Sequence, residues 1–206
     1  MAAYEVLLDI VKTYFVDIGY NAYYVEQFFS NANFKEILSI KLANANVVIK
    51  NKTDRNSHQT HIAITGEAIG FFYNPETFNN MQNDIVDNVP IKIFEDNLIH
   101  LETKKMVSVD TAASPVILDG TVTIGKRTQK QVQLSKKNRD NSECFNRLRS
   151  CLYENDLLIL LKERTDNSVF TIGIPRIYYE SIIEDYSSHY DTNTYLRIPR
   201  TPNGRE

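Results

Sequence analysis

Between residues 120 and 150 stand eight Lys or Arg side chains and two acids, although the 206-residue chain carries a net charge of −3. The segment therefore holds 8 − 2 = +6 and the rest of the chain −3 − 6 = −9. Its cations are Lys126, Arg127, Lys130, Lys136, Lys137, Arg139, Arg147 and Arg149, and no acid stands between Gly120 and Arg139. Positive charge gathered within an acidic protein attracts phosphate. Read as an extended strand, the stretch after Gly125 puts Arg127, Gln129, Gln131 and Gln133 on one face, with Val132 and Leu134 toward a core. Arg and Gln form paired hydrogen bonds with base edges, while Lys126, Lys130 and the turn containing Lys136, Lys137 and Arg139 supply phosphate contacts. These nine residues are the candidate nucleic-acid-binding set, and double-stranded DNA is the partner they imply. The competing reading is a solvated strand and loop that keep the protein soluble.

Three other constellations carry chemistry of a different kind. Glu102 and Lys104 form an E-x-K pattern, with Asp87 or Asp96 upstream, as in metal-dependent nucleases of the PD-(D/E)XK type. There two carboxylates hold Mg²⁺ and the lysine orients the attacking water, which requires acid and lysine to alternate along one strand. No Pro-Asp pair stands upstream, and Asp96 falls in an expected hairpin turn, so alternating surface charge explains the pattern as well. His58 and His61 form H-x-x-H with His100 in an expected strand, but no clear third and fourth ligand completes a zinc site. The chain contains no H-E-x-x-H, G-x-S-x-G or G-x-x-x-x-G-K-[ST] pattern, so no cofactor, metal or catalytic residue is assigned. Tyrosines gather near both ends (Tyr4, Tyr14, Tyr20, Tyr23 and Tyr24, then Tyr178, Tyr179, Tyr186, Tyr190 and Tyr195). They suit a core, a base-stacking pocket or a noncatalytic protein interface.

The order GKRTQKQVQL, a capped helix, NDLLILLKE and FTIGIP, over residues 120–175, resembles recognition domains of bacterial restriction and phage-defence proteins. These include the N-terminal domains of methylcytosine-dependent HNH endonucleases. The residues that carry the resemblance are Gly125, Arg127 and Thr128 with the basic strand after them, and no HNH motif is present. The resemblance implies binding of DNA, including modified DNA, without cleavage by this chain.

The elements that must position these residues follow from periodicity. Val6, Leu7, Ile10, Val11, Tyr14 and Ile18 have helical spacing up to Gly19, and a second helix follows with Asn21 as its N-cap. Stretches rich in Ile, Val and Phe then read as strands over residues 38–50, 61–72 and 89–109, with a loop and one short helix over 74–88. Two strands flank Gly125. Asp140 and Glu143 have capping-box spacing before a helix near 142–154. Residues 157–163 and 169–174 form a hairpin across RTDNS, apolar enough to be covered on both faces, and a closing helix is expected near 177–186.

The fold class expected is α+β: an N-terminal helical pair packed on a mixed, curved sheet of six to eight strands, with two further helices. Residues 1–196 form one domain, and 197–206 a polar tail or the start of a linker to a further domain or subunit. The longest apolar run, residues 157–161, is far too short to cross a bilayer, and no signal peptide precedes the first helix. Cys144 and Cys151 lie seven residues apart, about two helical turns, too far for a disulfide. They read as buried reduced thiols in a cytoplasmic protein.

Overall fold

In a computed structural model, residues 3–31, 34–43, 61–83, 86–107, 115–127, 130–135, 141–180 and 195–199 are described. The helical periodicity at the N-terminus becomes α1 (Ala3–Asp17) and α2 (Ala22–Asn31). Leu7, Ile10, Val11, Tyr14, Phe15 and Ile18 are all buried. The turn after α1 requires glycine. Gly19 has φ 122°, and a Cβ there would come within 2.5 Å of the Val107 carbonyl oxygen. Asn21 starts α2 by accepting the Tyr23 N–H at 2.9 Å.

The strands are β1 (Phe34–Lys41), β2 (Ile62–Ile64), β3 (Val86–Phe94), β4 (Ile117–Arg127), β5 (Gln131–Leu134), β6 (Leu157–Glu163), β7 (Val169–Ile174) and β8 (Tyr195–Pro199). They form one eight-stranded sheet in the order β2-β5-β4-β3-β7-β6-β1-β8. The β3–β7 pair is parallel and the others are antiparallel, so the fold is α+β with a mixed sheet. Side chains alternate along β6. Leu157, Ile159 and Leu161 join the core under α1 and α2, and Leu158 and Leu160 join a second core on the other face. This second core includes Leu38 of β1 near one end of the sheet and Ile62 of β2 at the other. Both ends meet in one core because the sheet is curled.

Short helices fill the connections. They are a 3-10 turn at Gly66–Phe71, α3 (Pro75–Asn80), α4 (Glu95–Thr103), α5 (Glu143–Ser150) and a 3-10 turn at Arg176–Tyr178. Close packing of α5 on β4 depends on Gly120, where a Cβ would collide with Ser142 Oγ and Cys144 Sγ.

Several expectations change. The strand expected over 61–72 stops after Ile64, because Gly66 at φ 60° turns the chain into the 3-10 segment. The stretch after Phe94 is α4, not a strand and hairpin; its Leu98 and Leu101, three apart, are buried together. Helix α5 begins after Ser142 instead of at an Asp140 capping box, and Asp140 lies outside the described residues. Both cysteines are free thiols but half-buried. Residues 195–199 pair with β1, so Arg197, Ile198 and Pro199 belong to the sheet and not to a tail. Of the expected helix at 177–186, the described residues show the 3-10 turn; residues 181–186 lie outside them.

Three tyrosine hydroxyls link distant elements. Tyr20 donates to Asp96 at 2.7 Å, Tyr73 to Asp87 at 2.6 Å, and Tyr14 accepts from Asn97 Nδ2 at 2.9 Å. Burial raises all three hydroxyl pKa values well above 10.0, and the neighbouring carboxylates raise Tyr20 and Tyr73 further. The folded state therefore binds these protons more tightly than the unfolded chain, and the associated stability is complete below pH 10 and lost as pH rises above it. Absorbance at 295 nm should show these tyrosines ionising only together with alkaline unfolding. Their ionisation in a still-folded chain would contradict the burial.

Candidate nucleic-acid interface

The first part of the basic segment folds as the β4–β5 hairpin, whose strands stand third and second from one end of the sheet. Strands β4 and β5 pair from Arg127↔Gln131 to Ile124↔Leu134. On the outer side of β5, β2 pairs only with Val132 to Leu134, so Gln131 lies beyond its last partner. Lys130 is exposed, with φ 51°, just before β5. The backbone thus brings Arg127, Lys130 and Gln131 to one end of the β4–β5 hairpin. Ser135, where the chain enters the stretch containing Lys136, Lys137 and Arg139, lies at the other end. At about 3.4 Å per residue, four strand residues separate the two ends by ~14 Å, roughly four steps along a DNA strand.

Val132 and Leu134 face the core as expected, each fully buried. Two members of the candidate set lie elsewhere than expected. Gln133 is buried, because its cross-strand neighbours are the small Gly125 and Ala63 and β2 covers that edge. Lys126 is also buried. Its Nζ donates to the carbonyls of Phe78 at 2.6 Å, Asn79 at 3.3 Å and Met81 at 2.7 Å, and lies 4.9 Å from the centre of the Phe78 ring. These carbonyls close the C-terminal end of α3, where a cation offsets the helix dipole and the unpaired acceptors. The side chain of Arg127, and all of Gln129, Lys136, Lys137 and Arg139, lie outside the described residues.

Of the remaining cations, Arg147 makes a two-point ion pair with Glu102 of α4, Nε to Oε1 at 2.8 Å and Nη2 to Oε2 at 2.9 Å. That pairing holds the Glu102 carboxyl below its usual pKa. Arg149 is 2% exposed and donates from Nη1 to Ser135 Oγ at 3.0 Å. Burial pushes its guanidinium pKa down to about 10. The fold thus absorbs Lys126, Arg147 and Arg149.

No family model, curated protein or solved structure matches this chain. The geometry of its residues must therefore carry the functional reading.

The nuclease-like set does not assemble as a strand motif. Glu102 sits in the last turn of α4, and Lys104 is its left-handed C-cap at φ 58°, with Nζ 5.3 Å from the Tyr153 ring centre. Asp96 occupies the first turn of the same helix and binds Tyr20, while Asp87 binds Tyr73. Among the described residues no group of three or more His, Cys, Asp and Glu could hold a metal ion. His100 is a buried helix residue, its Nδ1 2.6 Å from the Lys105 carbonyl and its Nε2 3.3 Å from Tyr178 Oη. His58 lies outside the described residues. Among the tyrosines, Tyr4, Tyr14, Tyr20 and Tyr179 are buried, and Tyr23 and Tyr24 form an exposed pair with ring centres 5.6 Å apart. Tyr186 and Tyr190 and the side chain of Tyr195 lie outside the described residues. No helix among the described residues is long and apolar enough to cross a membrane.

What the sequence reading missed is the structural employment of Lys126. Removing its charge in Lys126→Met should cost about 2 kcal/mol of stability, typical of hydrogen bonds to a charged donor. Urea unfolding checks this.

Proposed function

We propose that this chain is a DNA-binding recognition module whose contact surface is the basic β4–β5 hairpin. Supporting this is the distribution of charge along the sequence. Lys126, Arg147 and Arg149 are engaged within the protein, and the same segment also contains Arg127, Lys130, Lys136, Lys137 and Arg139 in a chain that is otherwise acidic. Lys130, Lys136, Lys137 and Arg139 take phosphates, while Arg127, Gln129 and Gln131 are the base-reading candidates. Lys126 acts from inside, holding the end of α3.

The resemblance of residues 120–175 to restriction and phage-defence recognition domains extends the proposal to modified DNA. Fluorescence anisotropy with matched unmodified and cytosine-methylated duplexes tests it. Binding at low salt is expected, and Arg127→Ala or Gln131→Ala should narrow the difference in affinity between the two duplexes. A chain that binds neither duplex at low salt returns the segment to a solvated surface.

A further inference from the structure

Helix α4 buries Asn97, Leu98, His100 and Leu101 and turns its other face outward, with Ile99 38% exposed near its middle. Its charges are divided by end. Half-buried Glu95 opens the first turn, and exposed Lys104 caps the last. Apolar groups stand at the same two ends. The carbonyl of Val116, an exposed residue, accepts the Glu95 N–H at 3.0 Å. At the other end the exposed Tyr153 ring has its centre 5.3 Å from Lys104 Nζ, and exposed Met106 lies two residues further along the chain. Ile99, Val116, Met106 and Tyr153 are four of the eight large apolar side chains exposed among the described residues, and all four lie on or beside this helix.

An acid at the start of a helix and a cation at its end offset the helix dipole, so those charges have a use within one chain. The exposed Ile99 between them does not. Glu95 and Lys104 stand four and five residues from Ile99, about 6 and 8 Å along the axis, so a second α4 crossing antiparallel over Ile99 sets each Glu95 against the other copy's Lys104. That is the self-complementary pattern of a two-fold contact. We propose that α4 is the surface through which two copies of this chain dimerise, with Ile99 at the two-fold axis, Glu95 opposite Lys104, and Val116, Met106 and Tyr153 adding apolar contact around them. Charge complementarity selects this occupant, because a uniformly basic partner meets Lys104, a uniformly acidic one meets Glu95, and a copy of the same helix satisfies both. A helix about 14 Å long provides the small end of specific interfaces, so the dimer is weak and reversible, with Kd on the order of 10–100 μM. None of these residues belongs to the proposed DNA surface, and the inference stands without it.

Sedimentation velocity of the whole chain, from about 1 to 300 μM around that Kd, tests the contact without any DNA. The wild type should pass from monomer to dimer over this range. Ile99→Glu places two like charges together at the axis and should weaken the dimer by about 100-fold, with circular dichroism confirming an intact fold. Glu95→Lys and Lys104→Glu should each weaken it by about five- to tenfold, and the double swap, which restores opposite charges across the axis, should recover it. Recovery separates a direct Glu95–Lys104 contact from a mere disturbance of α4. A chain monomeric throughout, a dimer indifferent to Ile99→Glu, or a double swap no tighter than the single variants overturns the proposal.

Discussion

Asn97→Ala should lower the free energy of unfolding by about 3 kcal/mol or more, because it strands three buried groups whose loss costs roughly 1–3 kcal/mol apiece. Asn97 is fully buried in the first turn of α4. Its Oδ1 accepts Gly173 N–H at 3.1 Å, and its Nδ2 donates to the Gly173 carbonyl and the Tyr14 hydroxyl, both at 2.9 Å. The parallel β3–β7 ladder runs only to Lys92↔Phe170, and the Asn97 side chain takes over as the partner of Gly173 where β3 has given way to a helix. Asn97→Asp should also be damaging, since a carboxylate cannot donate to the carbonyl and would be buried as a charge. Urea midpoints with an unchanged m-value measure the effect; a loss under about 1 kcal/mol for Asn97→Ala would falsify this role. The consequence reaches the proposed interface. Asn97 anchors α4, Glu102 on α4 holds Arg147, and α5 also carries Arg149, which donates to Ser135 at the end of β5.

The parts of the fold legible in the sequence are those whose signal is local. Helices α1 and α2 show the helical period and an Asn N-cap, and the β6–β7 hairpin shows two apolar runs around a polar turn. Leu157–Leu161 and all of β7 are buried, as that pattern implies for strands covered on both faces. Helix α4 was hidden because IKIF and LIHL share one β-like composition. The overlooked signal was Glu95 and Asp96 at the start of the first turn, ahead of Leu98 and Leu101 at helical spacing. Edge pairing by β2 and β8 depends on residues far away in the chain, which periodicity does not reveal.

The candidate site was legible as charge but not as accessibility. Alternation correctly sends Val132 and Leu134 inward, yet Gln133 is buried too, since β2 arrives from about 70 residues upstream to cover the strand. Lys126 reads as an open cation until α3, 48 residues earlier at Phe78, presents its last carbonyls to it. Arg149 lies within an amphipathic helix whose polar members are otherwise surface candidates, and only the Ser135 and Asn141 geometry shows that its charge is used inside. Local pattern specifies strand and helix; long-range contacts decide which charges remain for a partner.

Simultaneous replacement of Lys136, Lys137 and Arg139 by alanine should reduce affinity for duplex DNA by two to three orders of magnitude at about 0.1 M salt, since each neutralised phosphate contributes roughly tenfold there. Charge loss of this kind weakens binding to all sequences alike and leaves preference intact. The most direct measurement is the salt dependence of duplex binding, followed by anisotropy for the wild-type chain and this triple variant. With Lys130, Lys136, Lys137 and Arg139 on phosphates, log K should fall against log salt with a slope of about −3.6 for the wild type and about −1 for the variant. No binding at low salt, or a slope the triple substitution leaves unchanged, contradicts a DNA interface on this basic segment.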